Sequence, residues 1–355
     1  MSYSKLHFHT MKKQFSTQLE SHPNHKAIVI TNTVERATEC QHHLDLWLDS
    51  NNKLKGDTVL VVGDRDSELK LAYTSAFTNE PFKNDHDSEN SNTLKPRFLL
   101  GAAGCIGAGL DCCDVHFELR LAIPTSIINF IQEMGRCGRT FIQQNNIEYC
   151  DTFSISFCIY DFVYIWQRIV STDINDTNAT LITTEEFISM EFREFKYVCS
   201  MMYLNYGCWH NYLENASTNP ETDPYNPTLY SPCVTNCPFC TNEIKKIIKC
   251  VDKDQLCLFL VSTMTNTTKI YNAIQLGDAL YTYPSCGTLI YHRKSAQKAE
   301  KRSNCHMTII QLLLRQIVDM VLDKESNKWY CILPHDNFAR PLYLDQDRWR
   351  YINTF

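Results

Sequence analysis

Short apolar runs alternate with longer segments of mixed polarity along the first half of the chain. The runs predict buried strands at residues 27–30, 58–62, 98–100, 117–122 and 155–160. The segments that follow them predict helices to about residue 48, over 67–77 and from 161 to about 170. Strands that alternate with helices indicate an α/β fold with a parallel sheet, which binds ligands beyond the carboxyl ends of its strands.

The same pattern divides the chain into five segments. We expect a leading helix or linker at 1–22, an α/β domain at 23–170 with a polar surface insertion at 80–95, a polar linker at 171–184, a cysteine-rich region at 185–250, and a region of uncertain class at 251–355. In the last region, apolar residues at helical spacing predict a helix over 308–322. Residues 329–333 and 341–344 predict a hairpin.

Composition is that of an ordinary globular protein, with 355 residues, 44% hydrophobic and 21% charged. The formal net charge of -6 excludes a uniformly basic nucleic-acid coat, so any contact with nucleic acid comes from local basic patches. No run approaches the roughly 18 apolar residues of a membrane span, and no secretory signal is recognised. The 17 cysteines therefore indicate a reducing cytosol or nucleus, with no membrane partner.

Two arginines three residues apart follow a predicted helix that begins near residue 126. Arg136 and Arg139 face the same way on such a helix, and Gly135 allows another backbone to come close. A fixed pair of guanidinium groups suits phosphate oxygens, because each group presents a rigid fork of donors. The alternative is a Gly/Arg-rich turn without a function.

A second glycine-rich stretch, residues 101–115, follows a predicted strand. Gly107 and Gly109 permit close backbone approach, and Asp111 offers a carboxylate beside them. Such a turn is also common as a plain connection between a strand and a helix. Its position upstream of the paired arginines favours a functional role.

These stretches carry a resemblance to superfamily 2 helicases, and to their RecQ branch in particular. Residues 132–139 (QEMGRCGR) resemble helicase motif VI, and Gly109-Leu110-Asp111 resembles the GID triplet of motif V. Ala103 stands where the family has Thr or Ser, so a hydroxyl that would touch the nucleic-acid backbone is missing. Residues 27–37 resemble motif IV, with Thr33 or Asn32 at the strand end.

The resemblance implies that residues 23–170 are a second RecA-like lobe, which closes on ATP bound to a first lobe. Arg139 would then be the arginine finger, Arg136 its neighbour on phosphate or on an acidic partner, and Gln132 part of the nucleotide-linked network. The remaining implied contacts are Gly109, Asp111 and Gly135 with the nucleotide, and Thr33 and position 103 (Ala103) with nucleic acid.

The first lobe of such a motor is missing from the sequence. The chain has no Gly-x-x-x-x-Gly-Lys-[Ser/Thr] loop to cradle phosphates and no Asp-Glu box to hold magnesium. ATP with Mg²⁺ would have to be shared with a first lobe supplied in cis or in trans, and hydrolysis by this chain alone is expected to be very slow or nil. The alternative is a non-catalytic nucleic-acid-binding or scaffold protein.

A cluster of cysteines predicts a structural zinc site. Cys233, Cys237 and Cys240 lie in one turn-rich stretch, and Cys199 lies upstream on a predicted helix. Four thiolates at tetrahedral geometry form a closed zinc site, and RecQ-type helicases carry a small helical zinc module at this place. Possible substitutes for one ligand are Cys208, His210 and Cys250.

The C-terminal region contains a local basic stretch that includes Arg293 and Lys294. A helix and a hairpin beside such a stretch are compatible with a winged-helix DNA binder, although a charged face on a small α+β domain explains them equally well. The family resemblance implies DNA as the partner, single-stranded or at a junction, with 3′–5′ polarity and a nuclear location.

Overall fold

The computed structural model places the greater part of the chain. It describes residues 3–20, 25–51, 54, 56–61, 63, 67–79, 96–102, 105–106, 112, 115–136, 152–156, 158–173, 181–183, 190–204, 208, 213, 253–264, 271–290, 297–315 and 317–333. The chain divides into two compact units, Met1–Pro124 with Ile128–Phe157, and Thr125–Ile127 with Cys158–Phe355. The division follows residue 157, ahead of the domain end predicted at 170. The predicted insertion at 80–95 lies outside the described residues.

A five-stranded parallel sheet forms the centre of the first unit. Its strands are β1 (Lys26–Thr31), β2 (Asp57–Val61), β3 (Pro96–Ala102), β4 (Val115–Leu121) and β5 (Thr152–Ser156), in the order β2-β3-β1-β4-β5. Every residue of β1 and β3 is buried, as expected where both faces of a parallel sheet are covered. The predicted α/β class with a parallel sheet flanked by helices is confirmed.

Four helices accompany this sheet: α1 (Tyr3–Leu19), α2 (Val34–Ser50), α3 (Ser67–Asn79) and α4 (Ile127–Met134). On one face, α1 and α2 share a hydrophobic core with the sheet. The Phe15 ring lies 5.3 Å from that of Phe98 and 5.8 Å from that of Phe117. The predicted leading segment is therefore a helix that contributes to the core.

The opposite face of the sheet carries both apolar and charged side chains. Ile28 and Ile30 pack there with Phe77 of α3. The strand register places Glu118 beside Ile28 and Arg120 beside Ile30, so these two charges belong to the same face.

The second unit combines helices with a small antiparallel sheet. Its helices are α5 (Ile159–Asp173), α6 (Met190–Leu204), α7 (Lys253–Met264), α8 (Ala273–Thr282), α9 (Cys286–Leu289) and α10 (Lys298–Leu314), and its strands are β6 (Leu181–Thr183), β7 (Asp319–Asp323) and β8 (Lys328–Ile332), in the order β6-β7-β8. Among the described helices of the chain, none has the length and apolarity to cross a bilayer.

Four predicted elements differ from those observed. The linker predicted at 171–184 contains the end of α5 and strand β6, which pairs with β7. The strand predicted at 155–160 is β5 at Thr152–Ser156, and α5 already begins at Ile159 because the Asp161 carboxylate accepts a hydrogen bond from the Cys158 N–H. The helix predicted over 308–322 ends at Leu314, since the residues beyond 318 pair as strand β7. The hairpin partner of β8 is β7, whereas 341–344 lie outside the described residues.

Candidate functional site

Helix α4 contains the first three residues of the predicted motif, Gln132 to Met134. Phe130 is fully buried, with its ring 5.6 Å from that of Phe153, and Glu133 is buried on the same side of the helix. Gln132 is exposed, and so is Gly135, which follows the last helical residue. The helix thus presents Gln132 outward while its inner side carries a carboxylate.

Arg136 is buried just beyond the end of α4. Its Nη2 donates a hydrogen bond of 2.6 Å to the Ile106 carbonyl oxygen, in the stretch that follows β3. The structure thus joins the segment predicted as motif VI to the segment predicted as motif V. In this conformation the Arg136 guanidinium serves a protein carbonyl, and its predicted contact with phosphate stays a prediction.

Arg120, in β4, forms the centre of a buried polar network. Its Nη1 lies 3.2 Å from Glu133 Oε1 and 3.4 Å from the Thr31 carbonyl oxygen, and its Nη2 donates a short hydrogen bond to Asn32 Oδ1. Both side chains of the ion pair are almost completely inaccessible to solvent, at 1% and 4% exposure. The network joins β1, β4 and α4.

The end of β1 is shaped by two polar residues. Asn32 Nδ2 donates to the Ile123 carbonyl oxygen at 3.1 Å, close to the start of α4. Thr33 is the N-cap of α2, because its hydroxyl oxygen accepts a hydrogen bond from the Arg36 N–H. Of the two motif IV candidates, Asn32 joins the Arg120 network, whereas the side chain of Thr33 caps a helix.

The backbone between β4 and α4 is held in an unusual conformation. Ala122 has a φ of 98°, which L-residues rarely adopt. Its N–H donates to the Ser156 carbonyl oxygen at 2.7 Å, and the Asn32 amide holds the neighbouring Ile123 carbonyl. Strain of this kind persists where the surroundings fix it, as these two contacts do here.

Burial sets the electrostatics of the network. Loss of solvent raises the pKa of the Glu133 carboxyl, and the nearby guanidinium groups of Arg120 and Arg136 oppose that shift. Loss of solvent also lowers the pKa of Arg120, while Glu133 and Glu118 oppose it. An arginine stays charged even with a lowered pKa, so the carboxylate is needed to balance a buried cation.

Most of the other predicted site residues fall outside the part of the chain that the structure describes. These are Arg139, Ala103, Gly109, Asp111, Arg293, Lys294, Cys233, Cys237 and Cys240, together with His210 and Cys250. Their roles stay predictions. Cys208, the remaining substitute zinc ligand, is buried.

Of the four predicted zinc ligands, the described residues contain Cys199 alone. Its thiol is fully buried on α6, and burial raises its pKa well above the ordinary value. A zinc ligand must be the thiolate, so metal binding there would have to overcome that shift. Within the described ranges, no three His, Cys, Asp or Glu side chains come close enough together to hold a metal ion.

Arg120 and Glu133 are site residues that the sequence motifs do not reveal. A signal was present, since β4 carries two charged residues, Glu118 and Arg120, between apolar residues, and both are buried. Charges in such a strand require partners, which indicates a polar network. The partners themselves lie 13 residues away, at Glu133, and 88 residues away, at Asn32, so spacing alone did not reveal them.

Comparison with known proteins gives only distant matches. No protein-family model matches the chain, and no curated protein matches it. Among solved structures, it is similar to domain 2 of the DEAD-box helicase Mss116p bound to an RNA duplex, with 16% identity over 63% of this chain and 83% of that chain and a TM-score of 0.31.

Two further solved structures are similar over different spans. The C-terminal part of the Fun30 ATPase domain matches with 9% identity over 44% of this chain and 43% of that chain, at a TM-score of 0.31. The Mycobacterium smegmatis helicase Lhr bound to ssDNA and AMP-PNP matches with 11% identity over 96% of this chain and 30% of that chain, at a TM-score of 0.32. The chain thus spans less than half of either protein's length.

Proposed function

We propose that the chain is the second motor lobe of a nucleic-acid-dependent ATPase of the superfamily 2 helicase type, and of its RecQ-like branch. The observation that carries the proposal is the link between the two motif-like segments, in which Arg136 beyond α4 donates to Ile106 beyond β3. The motif VI-like residues 132–139 and the motif V-like residues 101–115 stand in the order that the resemblance requires. Ile106 follows the carboxyl end of β3, the side on which α/β sheets bind ligands.

In this proposal Arg139 is the residue that reaches the transferred phosphoryl group. ATP with Mg²⁺ would supply the reactive phosphate, held mainly by a first lobe in cis or in trans. A guanidinium that approaches the γ-phosphate offsets the negative charge that develops during transfer. Arg136 would place the segment that bears Arg139, and Gln132, which is exposed on α4, would contact the nucleotide-linked network. Gly109, Gly135 and Asp111 are assigned to the nucleotide side.

Several finer assignments follow from the family resemblance alone. The partner is DNA, single-stranded or at a junction, with 3′–5′ polarity and a nuclear location. Nucleic-acid contacts are assigned to Thr33, Ala103, Arg293 and Lys294. A structural zinc is assigned to Cys199, Cys233, Cys237 and Cys240. Zinc analysis should find about one equivalent of metal per chain, since a closed thiolate site binds one ion. A folded, zinc-free protein would contradict that assignment.

A second candidate is a non-catalytic nucleic-acid-binding or scaffold protein that keeps the lobe's shape. The observation that favours it is the absence of any Gly-Lys pair in the sequence, and therefore of a phosphate-binding loop. The buried position of Arg136 is also compatible with a purely structural motif. The two candidates differ in what Arg139 does.

Substitution of Arg139 distinguishes the two candidates. In an assembly of the full chain with a first RecA-like lobe, Arg139→Ala should lower ATP hydrolysis about 10³-fold, the scale reported for arginine fingers. DNA binding at fixed salt should stay within about twofold, because a phosphoryl-facing arginine makes no backbone contact with DNA. The control is Arg168→Ala, an exposed arginine on α5. Loss of DNA binding with no role in hydrolysis would support the scaffold instead.

A further inference from the structure

The guanidinium of Arg120 contacts two separate parts of the first unit, helix α4 and the end of strand β1. The side chain is 1% exposed, and its acceptors are Glu133 of α4, the Thr31 carbonyl that ends β1, and the Asn32 amide oxygen beyond it. A buried cation is costly unless it is paired and hydrogen-bonded. Here the planar fork of arginine meets acceptors that a single ammonium group would not reach together.

On the helix side, the contact fixes the orientation of α4. Glu133 lies in the last turn of α4, and Arg136 follows in the turn that ends the helix, where its N–H donates to the Glu133 carbonyl oxygen at 3.1 Å. Glu133 is held by Arg120, and Arg136 is held by the Ile106 carbonyl, at 3.2 Å and 2.6 Å respectively. With two inner anchors in place, Gln132 is directed outward.

On the strand side, the contact continues to the beginning of the helix. Asn32 accepts from Arg120 through Oδ1 and donates through Nδ2 to the Ile123 carbonyl oxygen. Ile123 follows Ala122, whose φ of 98° is fixed by its own hydrogen bond to Ser156. The approach to α4 and the inner side of α4 are therefore both attached to Arg120.

We infer that Arg120 is a positioning residue, which uses Glu133 and Asn32 to hold α4, and Arg136 just beyond it, in a fixed place relative to β1. The inference rests on the proposed function only where it concerns hydrolysis, since the positioning itself is a property of the first unit. A simple stabilising role explains the network less well. Buried ion pairs often contribute little net stability compared with apolar side chains of similar volume, and in some proteins their role is to fix geometry.

The test compares two buried arginines in the full chain. Arg97 is also fully buried, and it donates to the His25 carbonyl at 3.0 Å and the Leu19 carbonyl at 3.2 Å, at the opposite end of the strands. Arg120→Lys and Arg97→Lys each keep a buried charge and lose the fork. A hydrogen bond to a charged group contributes about 1.5–3 kcal/mol. Its loss should therefore raise the equilibrium constant for local opening of the segment it holds by roughly 10–100-fold.

Amide hydrogen exchange reports the position of α4 directly. Arg120→Lys should speed exchange of peptides over 127–134 at least about tenfold, and Arg97→Lys should leave them unchanged and affect α1 instead. Labelling by phenylglyoxal, a reagent for arginine, should show faster modification of Arg136 in Arg120→Lys only. Unchanged exchange and labelling in Arg120→Lys, or equal changes in both variants, would overturn the inference.

A second variant covers the case in which Arg120→Lys fails to fold. The triple change Arg120→Met/Glu133→Met/Glu118→Gln removes the buried ion pair and the charge of the neighbouring buried carboxyl with little change in volume, so it should remain folded. If its α4 exchanges faster while α2 is unaffected, the positioning role is supported; if α4 stays as protected as in the wild type, it is excluded. In the assembly with a first lobe, Arg120→Lys should lower kcat about tenfold. If ATP hydrolysis by the assembly does not depend on Arg139, the proposed function is wrong. The hydrogen-exchange data decide the positioning role of Arg120 in either case.

Discussion

Asp161 makes the stability of the second unit depend on pH. The side chain is fully buried, and Oδ2 accepts hydrogen bonds from Cys158 N at 2.9 Å and from Cys158 Sγ at 3.3 Å. Burial raises the pKa of its carboxyl from 3.8 to about 7, and the hydrogen bond from the Cys158 N–H opposes this only in part. The folded chain therefore binds a proton more tightly than the unfolded chain does.

The sign and size of the effect follow from that difference. Stability is complete below the unfolded pKa of 3.8 and is lost as pH rises to the folded value of about 7. Each pH unit in this window lowers the free energy of unfolding by about 1.4 kcal/mol, which amounts to about 4 kcal/mol over the whole window. Between pH 5 and pH 8, where most proteins are studied, the loss should be about 3 kcal/mol.

Urea unfolding at pH 5, 6, 7 and 8 measures this loss, with fluorescence that includes Trp166 on the same helix. Asp161→Asn keeps an oxygen that accepts a hydrogen bond from Cys158, but its side chain cannot ionise. The free energy of unfolding of this variant should therefore fall by about 3 kcal/mol less than that of the wild type over this range. Asp49→Asn, at an exposed position of α2, is the matched control and should follow the wild type. Parallel pH profiles of the wild type and Asp161→Asn would refute the reasoning.

Two further predictions concern packing. Gly277→Ala places a Cβ 2.2 Å from His306 Cδ2, so it should destabilise the fold by about 1–3 kcal/mol in urea unfolding. Gly287→Ala meets nothing within 4 Å and should be neutral or stabilising by up to about 1 kcal/mol; equal effects of the two changes would contradict the packing of α8 on α10. Phe15→Ala should cost about 3–5 kcal/mol by the same measurement, whereas exposed Lys13→Ala should cost little. A small effect at Phe15 would mean that α1 is not part of the core.

The central strands could be predicted because their burial is visible in the sequence. Residues 27–30 and 98–100 are continuous apolar runs, and β1 and β3 are buried along their whole length. Where both faces of a parallel sheet are covered, successive side chains of a strand are all buried. Such a strand is therefore a continuous apolar run, which is easy to recognise in the sequence. The order of strands and helices along the chain then indicates the α/β class.

The ends of some elements could not be predicted from apolar runs, because they depend on a polar contact or on pairing with another strand. The apolar residues of 155–160 continue without a break into α5, and the boundary is set by Asp161, which accepts from the Cys158 N–H. Similarly, the apolar run after residue 308 belongs partly to α10 and partly to β7, and only pairing with β8 decides where the strand begins. Periodicity does not distinguish a helix from a buried strand over such short stretches.

The two arginines of the motif show where a sequence pattern stops being informative. Spacing places Arg136 and Arg139 on one side of a helix, but it does not say which of them faces a ligand. Arg136 is buried, and its Nη2 donates to the Ile106 carbonyl oxygen at 2.6 Å, so this guanidinium already has a protein partner. A hydrogen bond between a charged donor and a buried carbonyl is costly to give up. We therefore expect Arg136 to keep its protein partner, and the phosphoryl-facing role of Arg139 remains part of the proposal.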